Sequence, residues 1–243
     1  MEIEELAGRD AYLATAEGNV TDATDSGIVL SRTVFYARGG GQPGDTGVLR
    51  WDGGETRIAD TVRIGGLVTH IPVEGDPLPE PGMDTEGVID WERRYRTMRT
   101  HTALHALSGV VFRDFGAKVT GGNMEPGTAR MDFELDGISQ EFGKQVEDTL
   151  NAELVKGYPT EIVYLAREIA LADPDLIRTK VNLIPEFVSE IRVVDIVGLD
   201  RQADGGTHVR TTLEVGPVRV VKTESKGKAN KRMRIELADS PID

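Results

Sequence analysis

The chain changes character near residue 90, and this change limits what it can fold into. Residues 1–90 are rich in Gly, Pro, Asp and Thr and contain short β-type runs such as GIVLSRTVFYA (27–37), TRIADTVRI (56–64) and LVTHIPV (67–73). Turn-forming stretches such as DTG, WDGGE and EGDPLPEPG separate these runs. Several short strands with frequent turns are typical of a small β-barrel. We therefore predict a β-barrel domain over residues 1–90.

Helical patterns begin after this boundary. The segment WERRYRTMRTHTALHALSGVVFRDF (91–115) has apolar residues at helical spacing and no helix-breaking residue before Gly109. This pattern predicts a helix that begins at Trp91 or Arg93 and extends to Phe112 or beyond. A second helix is predicted over residues 139–157, with Ser139 as its N-cap and Gly157 as its C-cap.

Segments around the second helix carry β-type patterns. GGNMEPGTARMDFEL (121–135) predicts a loop followed by a strand, and SEIRVVDIVGLDRQA (189–203) predicts one strand that runs into a glycine turn. LEVGPVRVVKTESKGKANKRMRIEL (213–237) predicts a closing β-hairpin. Residues 91–243 are therefore expected to form an α+β domain, and the fold class of the whole chain is predicted to be α+β.

The composition excludes several kinds of protein and site. The 243 residues include no cysteine, which rules out disulfides, a cysteine nucleophile and thiolate metal ligands. No run approaches the ~20 apolar residues of a membrane span, and the start MEIEELAGRD lacks the features of a signal peptide. We therefore expect a cytoplasmic protein in which any metal site is built from His, Asp and Glu.

A basic segment stands out from an acidic chain. The net charge of −13 argues by sign against a nucleic-acid partner, yet residues 222–234 (KTESKGKANKRMR) hold half of the eight lysines. A basic patch on an acidic body suits a polyanion that is held at one place. The alternative is a solvated strand edge, where lysine blocks aggregation.

Three of the four histidines occur in two pairs with i, i+4 spacing. His101 and His105 lie one turn apart on one face of the first predicted helix, so both rings can reach one metal ion. Asp204 and His208 flank two glycines in DGGTH. Two pairs supply four ligands, the coordination number of zinc. The alternatives are unrelated helical histidines and an ordinary turn capped by its aspartate. His70, in a predicted barrel strand, is interpreted as structural.

Three motifs together resemble a known family. GGGQPGDTG (39–47), MRTHTALHALS (98–108) and GLDRQADGGTHVRTT (198–212) occur in the order and spacing of alanyl-tRNA editing proteins, called AlaX, which are free-standing relatives of the editing domain of alanyl-tRNA synthetase. The final hairpin is also similar, so the resemblance covers nearly the whole chain. The glycine-rich motif is typical of the longer AlaX type.

The resemblance implies a fold and an activity. It implies a translation-factor-like barrel over residues 1–90, followed over residues 91–243 by an editing domain of the threonyl/alanyl-tRNA synthetase type. The family clears tRNA(Ala) that carries serine, and in the longer form glycine, by hydrolysing the ester. The implied partner is the acceptor end of tRNA(Ala), and the implied cofactor is one zinc ion per chain.

The chain departs from the family at one ligand. The family usually has cysteine where this chain has Asp204, so the implied metal site is His101, His105, Asp204 and His208. A carboxylate also binds zinc, although as a harder donor it discriminates less against other ions. Alternatively, Asp204 hydrogen-bonds a water at the metal, and the three histidines are the ligands.

The resemblance also suggests residues that contact the substrate. Thr120, in a segment read as a loop, resembles a threonine that contacts the serine hydroxyl; the alternative is an ordinary loop threonine. Gln42 is a candidate for positioning water. The glycine motif, with Gly39, Gly40 and Gly41, is expected to face the editing pocket; the alternative is a tight barrel turn. Phosphates of the acceptor stem are expected to contact the basic residues Lys226, Lys228, Lys231 and Arg232.

Two other functions fit the same residues. One is a non-catalytic protein that binds tRNA or a synthetase and holds the metal as a structural element, because structural zinc sites are closed by four protein ligands. The other is a metallohydrolase of small esters, in which the basic hairpin plays no part.

Overall fold

The computed structural model describes residues 3–137, 139–173, 175–176, 188–227 and 229–238. The fold is α+β, which confirms the predicted class. The chain divides into two compact units, Met1–Thr97 and Met98–Asp243. None of the helices formed by the described residues is long and apolar enough to cross a membrane.

The first unit contains the predicted barrel. Within residues 3–97, six strands close into a barrel in the order β2-β3-β7-β6-β5-β8, with antiparallel neighbours throughout. Side chains of the strands, among them Val20, Ile28 and Leu49, form an apolar core together with Phe35 from the segment after β4. A two-stranded parallel sheet of β1 and β4 accompanies the barrel. The strands are β1 (Glu4–Glu5), β2 (Thr15–Thr24), β3 (Gly27–Leu30), β4 (Arg32–Thr33), β5 (Gly47–Trp51), β6 (Gly54–Ile64), β7 (Leu67–Pro72) and β8 (Asp84–Ile89).

A buried ion pair fastens the chain beyond β8 to the barrel. The Arg94 side chain is 0% exposed, and its Nε lies 3.0 Å from both carboxylate oxygens of Asp45. Its other nitrogens donate to the carbonyl oxygens of Ala11 (3.0 Å) and Val34 (2.8 Å). Asp45 in turn accepts the backbone N–H of Tyr36. Both charges are therefore paired and hydrogen-bonded, as burial requires.

His70 is a buried structural residue of the barrel. Its side chain is 0% exposed and lies on β7, with Nδ1 2.9 Å from the carbonyl oxygen of Ile28 and Nε2 2.7 Å from Oγ1 of Thr33. Burial disfavours the charged ring and lowers the pKa of His70 from 6.5 to about 4.

This burial predicts a loss of barrel stability in acid. Between pH 6.5 and about 4 the unfolded chain binds a proton at His70 that the folded chain does not, so stability falls as pH falls. The expected loss is about 1.4 kcal/mol per pH unit, roughly 3 kcal/mol in all. Both tryptophans, Trp51 and Trp91, lie in the first unit, so their fluorescence during urea unfolding reports on it. A His70→Gln variant should lack this part of the pH slope; equal slopes in variant and wild type would contradict the prediction.

The second unit contains two antiparallel sheets. Within its described residues, one sheet has the order β14-β15-β10-β9 and the other the order β11-β12-β13. Helix α1 begins at Trp91 and ends at Phe115, within the predicted bounds. Its residues 98–111 are all buried, which is typical of a core helix. The other elements are β9 (Val119–Glu125), β10 (Thr128–Phe133), α2 (Gln140–Leu154), β11 (Thr160–Ala166), α3 (Arg167–Ala172), β12 (Glu190–Ile196), β13 (Asp200–Ala203), a 3-10 helix (Thr212–Val215), β14 (Val218–Ser225) and β15 (Lys231–Leu237).

Helix α2 begins as predicted and ends earlier. The Ser139 side chain accepts the N–H of Phe142, so the predicted N-cap is confirmed. The helix ends at Leu154, and its C-cap is Val155, two residues before the predicted C-cap Gly157.

Two strand predictions were wrong. Residues 121–123 belong to β9 rather than to a loop. Their two glycines do not favour a strand, but pairing with β10 satisfies the hydrogen-bonding groups of their backbone. Residues 189–203 form two strands rather than one. Gly198 has φ 90°, a conformation that favours glycine, and the chain reverses there so that β13 pairs antiparallel with β12.

Candidate metal centre

Four side chains of the second unit converge. His101 and His105 lie one turn apart on α1, while Asp204 and His208 belong to the segment that follows β13. One ligand atom from each residue can be chosen such that all four lie within 4.8 Å of one another. The ring centroids are 4.2 Å apart for His101 and His208 and 4.7 Å apart for His105 and His208. The structure thus brings together the four residues that the two i, i+4 pairs singled out.

The spacing and chemistry of these atoms fit a tetrahedral ion. Ligands placed 2.0–2.1 Å from zinc are separated by about 3.3–3.4 Å at the corners of a tetrahedron. Asp204 Oδ1 lies 3.1 Å from Nε2 of His208, and Asp204 Oδ2 lies 3.6 Å from Nε2 of His101. Three imidazoles and one carboxylate are also a donor set that zinc accepts. The residues present therefore fit a metal ion.

The site favours the protonation states that a metal requires. Burial lowers the pKa of His101 to about 4 and lowers that of His208 well below 6.5, so both rings are neutral at pH 7. Burial alone would raise the pKa of Asp204, but the neighbouring His101 and the hydrogen bond from His208 hold it well below 3.8. Neutral imidazoles and an ionised carboxylate are the forms that bind metals.

Hydrogen bonds hold the Asp204 segment in place. Asp204 Oδ1 accepts the N–H of Gly206 at 2.7 Å, so the aspartate also caps its own turn, as the alternative reading of DGGTH supposed. The Asp204 backbone exchanges hydrogen bonds with Arg192 on β12, whose Nη1 lies 2.8 Å from the Asp204 carbonyl oxygen. The turn and the cluster therefore coexist in one rigidly bonded segment.

Outer partners contact the rings of His208 and His105. His208 Nδ1 lies 3.2 Å from Oγ1 of Thr102, which accepts the N–H of Val209. His105 Nδ1 lies 3.0 Å from Oδ2 of Asp200, a buried carboxylate at the start of β13. Neither Thr102 nor Asp200 was predicted as a site residue, although both lie inside the quoted motifs.

Two family models match the chain on either side of the first histidine pair. The model described as "tRNA synthetases class II (A)" matches residues 11–93, within which the barrel lies. The model described as "Threonyl and Alanyl tRNA synthetase second additional domain" matches residues 191–234 and includes Asp204 and His208.

Full-length relatives decide the family. Alanyl-tRNA editing protein AlaX-M of Methanosarcina acetivorans is 35% identical over 237 residues, which cover 95% of this chain and 97% of that protein. AlaX-M of Saccharolobus solfataricus is 35% identical over 232 residues, with the same shares covered. The chain belongs to the AlaX-M family. An alanine–tRNA ligase of Pyrobaculum calidifontis is 37% identical over 230 residues, which are 90% of this chain and 25% of the ligase. The resemblance inferred from three motifs is confirmed.

Thr120 of this AlaX-M family member lies on a strand. It belongs to β9, is partly buried, and donates from Oγ1 to Oδ1 of Asn230 at 3.1 Å. The expectation of a loop at this position was wrong, and contact with a serine hydroxyl stays a prediction.

In the basic hairpin of this AlaX-M family member, two residues that were predicted to contact phosphate bind other groups of the protein instead. Lys231 is 5% exposed and its Nζ donates to the carbonyl oxygen of Gly227 at 2.6 Å. Arg232 makes two hydrogen bonds, of 2.6 and 2.7 Å, to the Asp132 carboxylate. These contacts argue against Lys231 and Arg232 as direct phosphate ligands, while Lys226 is exposed. Lys228 lies outside the described residues.

The glycine-rich motif forms a tight turn in the first unit. Gly39 and Gln42 exchange backbone hydrogen bonds across Gly40 and Gly41, at 2.9 and 3.2 Å. Gln42 is buried, with 1% of its surface exposed. The geometry is that of the tight barrel turn, and a role for Gln42 and the three glycines in editing stays a prediction.

Proposed function

We propose that the chain is a metal-dependent aminoacyl-tRNA deacylase that hydrolyses mischarged Ser-tRNA(Ala). The observation that carries the proposal is the buried cluster His101, His105, Asp204 and His208 in a chain whose full-length relatives are named alanyl-tRNA editing proteins. Zinc is the proposed ion, because the donor set and the separations of 3.1 and 3.6 Å suit a tetrahedral site.

The four residues hold the ion, and they are unavailable for other chemistry. When bound, the ion supplies Lewis acidity, which polarises an ester carbonyl or acidifies a water. A histidine whose ring nitrogen binds a metal is a poor general base, so a Ser/His/Asp triad is not part of the proposal. The burial of His101 and His208 limits competing bulk water.

Recognition of serine requires a polar partner for one hydroxyl. The Thr120 hydroxyl donates to Asn230 and keeps its lone pairs, so it can accept a hydrogen bond from the serine side chain. An alanyl ester leaves this acceptor unpaired, which disfavours the correctly charged tRNA. Gln42, through water, and the backbone of Gly39, Gly40 and Gly41 are further proposed contacts for the substrate.

The exposed cations of the closing hairpin are the proposed contacts for phosphates of the acceptor stem. Lys226 is exposed, and so are the side chains of Lys222 (60%) and Arg234 (43%), although both of these pair with Glu224. Lys231 and Arg232, which the hairpin uses internally, are proposed to shape this surface.

A structural metal is the second candidate function. Four protein side chains around one point would complete a tetrahedron, and closed sites of this kind are typical of structural zinc. In that case Asp204 stays a fourth ligand and the protein binds tRNA without cleaving it.

Single-turnover deacylation distinguishes the two. We expect hydrolysis of Ser-tRNA(Ala) to exceed that of Ala-tRNA(Ala), to stop after chelation, and to return when zinc is added back. Gly-tRNA(Ala) as a third substrate measures the serine preference, and metal analysis of the purified protein gives the occupancy. Metal-containing protein that binds tRNA(Ala) and leaves all three esters intact would support the structural role. An unchanged rate of hydrolysis after chelation would contradict the proposed metal dependence.

A further inference from the structure

A buried carboxylate contacts one histidine of the cluster from outside. Asp200 Oδ2 lies 3.0 Å from Nδ1 of His105, and the Asp200 side chain is 0% exposed. His105 offers one ring nitrogen to the cluster, and the carboxylate faces the other. A buried carboxyl group is costly without hydrogen-bond partners, and the His105 ring supplies one.

The packing of α1 brings Asp200 to this position. Gly109 is one turn beyond His105 on the helix, and a Cβ atom there would lie 2.5 Å from the carbonyl oxygen of Leu199 and 3.0 Å from Cβ of Asp200. The absence of a side chain at Gly109 lets the start of β13 approach the helix closely. The approach therefore depends on residues of two elements that are distant in sequence.

A second hydrogen bond fixes the carboxylate. Gln202 Nε2 donates to Oδ2 of Asp200 at 2.7 Å and lies 3.1 Å from Oγ of Ser108. Gln202 is two residues beyond Asp200 on β13, and Ser108 is three residues beyond His105 on α1, so each pair lies on one face of its element. The four side chains form a continuous bridge from β13 to α1.

We propose that Asp200 is a positioning residue for the metal ligand His105. Its carboxylate accepts the Nδ1 proton of His105, which leaves the Nε2 lone pair directed into the cluster. Gln202 and Ser108 hold the carboxylate in line. Carboxylate–histidine pairs of this kind fix the tautomer and orientation of metal-bound histidines, and their loss typically costs 10–100-fold in metal affinity. The inference rests on the proposed metal site and deepens it.

Replacing the charge and keeping the shape tests this role. We expect Asp200→Asn to weaken zinc binding about 10–100-fold, measured by competition with a chromophoric chelator. Asp195→Asn is the matched control: Asp195 lies on the adjacent strand β12 of the same sheet and pairs with Arg201 at 3.2 Å. The control should bind zinc as the wild type does. Gln202→Ala, a milder change, should shift the affinity in the same direction by less.

The readouts separate positioning from simple support of the fold. A residue that only supports the fold would lower the melting temperature of the metal-free and zinc-bound protein equally. A positioning residue reduces the extra stability that zinc confers, since that stability depends on the affinity. The Co²⁺ spectrum should also change in Asp200→Asn and stay unchanged in Asp195→Asn. Wild-type affinity in Asp200→Asn and Gln202→Ala would overturn the inference and leave the proposed function standing. A wild-type protein without zinc affinity would overturn both.

Discussion

Asp204→Ala is expected to lower zinc affinity by more than about 100-fold, because it removes a direct ligand. Loss of an outer partner of a ligand typically costs up to about 100-fold. Asp204 Oδ1 lies 3.1 Å from Nε2 of His208, and Oδ2 lies 3.6 Å from Nε2 of His101, close to the ~3.3–3.4 Å between ligands of tetrahedral zinc. Chelator-sensitive hydrolysis of Ser-tRNA(Ala) should fall with it. Elemental analysis and chelator competition measure the first effect, and single-turnover assays measure the second.

Further substitutions at position 204 distinguish the role of Asp204 as a metal ligand from its role in capping the turn. Asp204 also accepts the Gly206 N–H, and asparagine keeps that acceptor while it removes the charge. Asp204→Asn should therefore lose zinc nearly as Asp204→Ala does. Asp204→Cys should retain or tighten zinc binding, and its sulfur is the one thiol of the chain, so a thiolate-to-Co²⁺ absorption band would report it directly. Asp136→Ala, at an exposed position of the same unit, is the control. Equal zinc content in wild type and Asp204→Ala would show that Asp204 is not a ligand.

Local patterns predicted the parts of the fold that depend on local chemistry. The barrel strands alternate and end at turn residues, and α1 has apolar residues at helical spacing without an early breaker. The division of residues 189–203 into β12 and β13 was missed because Gly198 was read as part of one continuous strand. Strand β9 was missed because its own composition does not favour a strand. It is held in place by backbone hydrogen bonds to β10.

In the candidate site, too, contacts between residues of one helix were predictable from the sequence, and contacts between distant segments were not. Helix geometry places His101 and His105 on one face, so their pairing followed from spacing. The partner of His105 depends on the register of β13 and on the close approach at Gly109, and neither has a signature in one sequence. Charge is visible in the sequence, but burial is not. Lys231 was therefore predicted to contact phosphate, although its Nζ donates a hydrogen bond within its own hairpin.

The same limit explains why the importance of Asp45 was missed. Asp45 lies inside the glycine-rich motif GGGQPGDTG, where it resembles one more turn residue. Its partner Arg94 is 49 residues away in sequence and 0% exposed. Arg94→Leu is expected to destabilise the first unit by about 3–5 kcal/mol, because it leaves the Asp45 carboxylate buried without a countercharge. Urea unfolding followed by the fluorescence of Trp51 and Trp91 measures the change.

Two comparison variants test the reason for this loss. Arg50→Leu removes an exposed arginine of the same unit, with carboxylates 3.6 and 3.8 Å away, and should cost roughly 0–1 kcal/mol. Adding Asp45→Asn to Arg94→Leu removes the unpaired charge and keeps an acceptor for the Tyr36 N–H, so the double variant should be more stable than Arg94→Leu. If Arg94→Leu cost no more than Arg50→Leu, the buried pair would contribute little to stability. If Asp45→Asn restored nothing, the loss would come from the carbonyl groups of Ala11 and Val34 rather than from the stranded carboxylate.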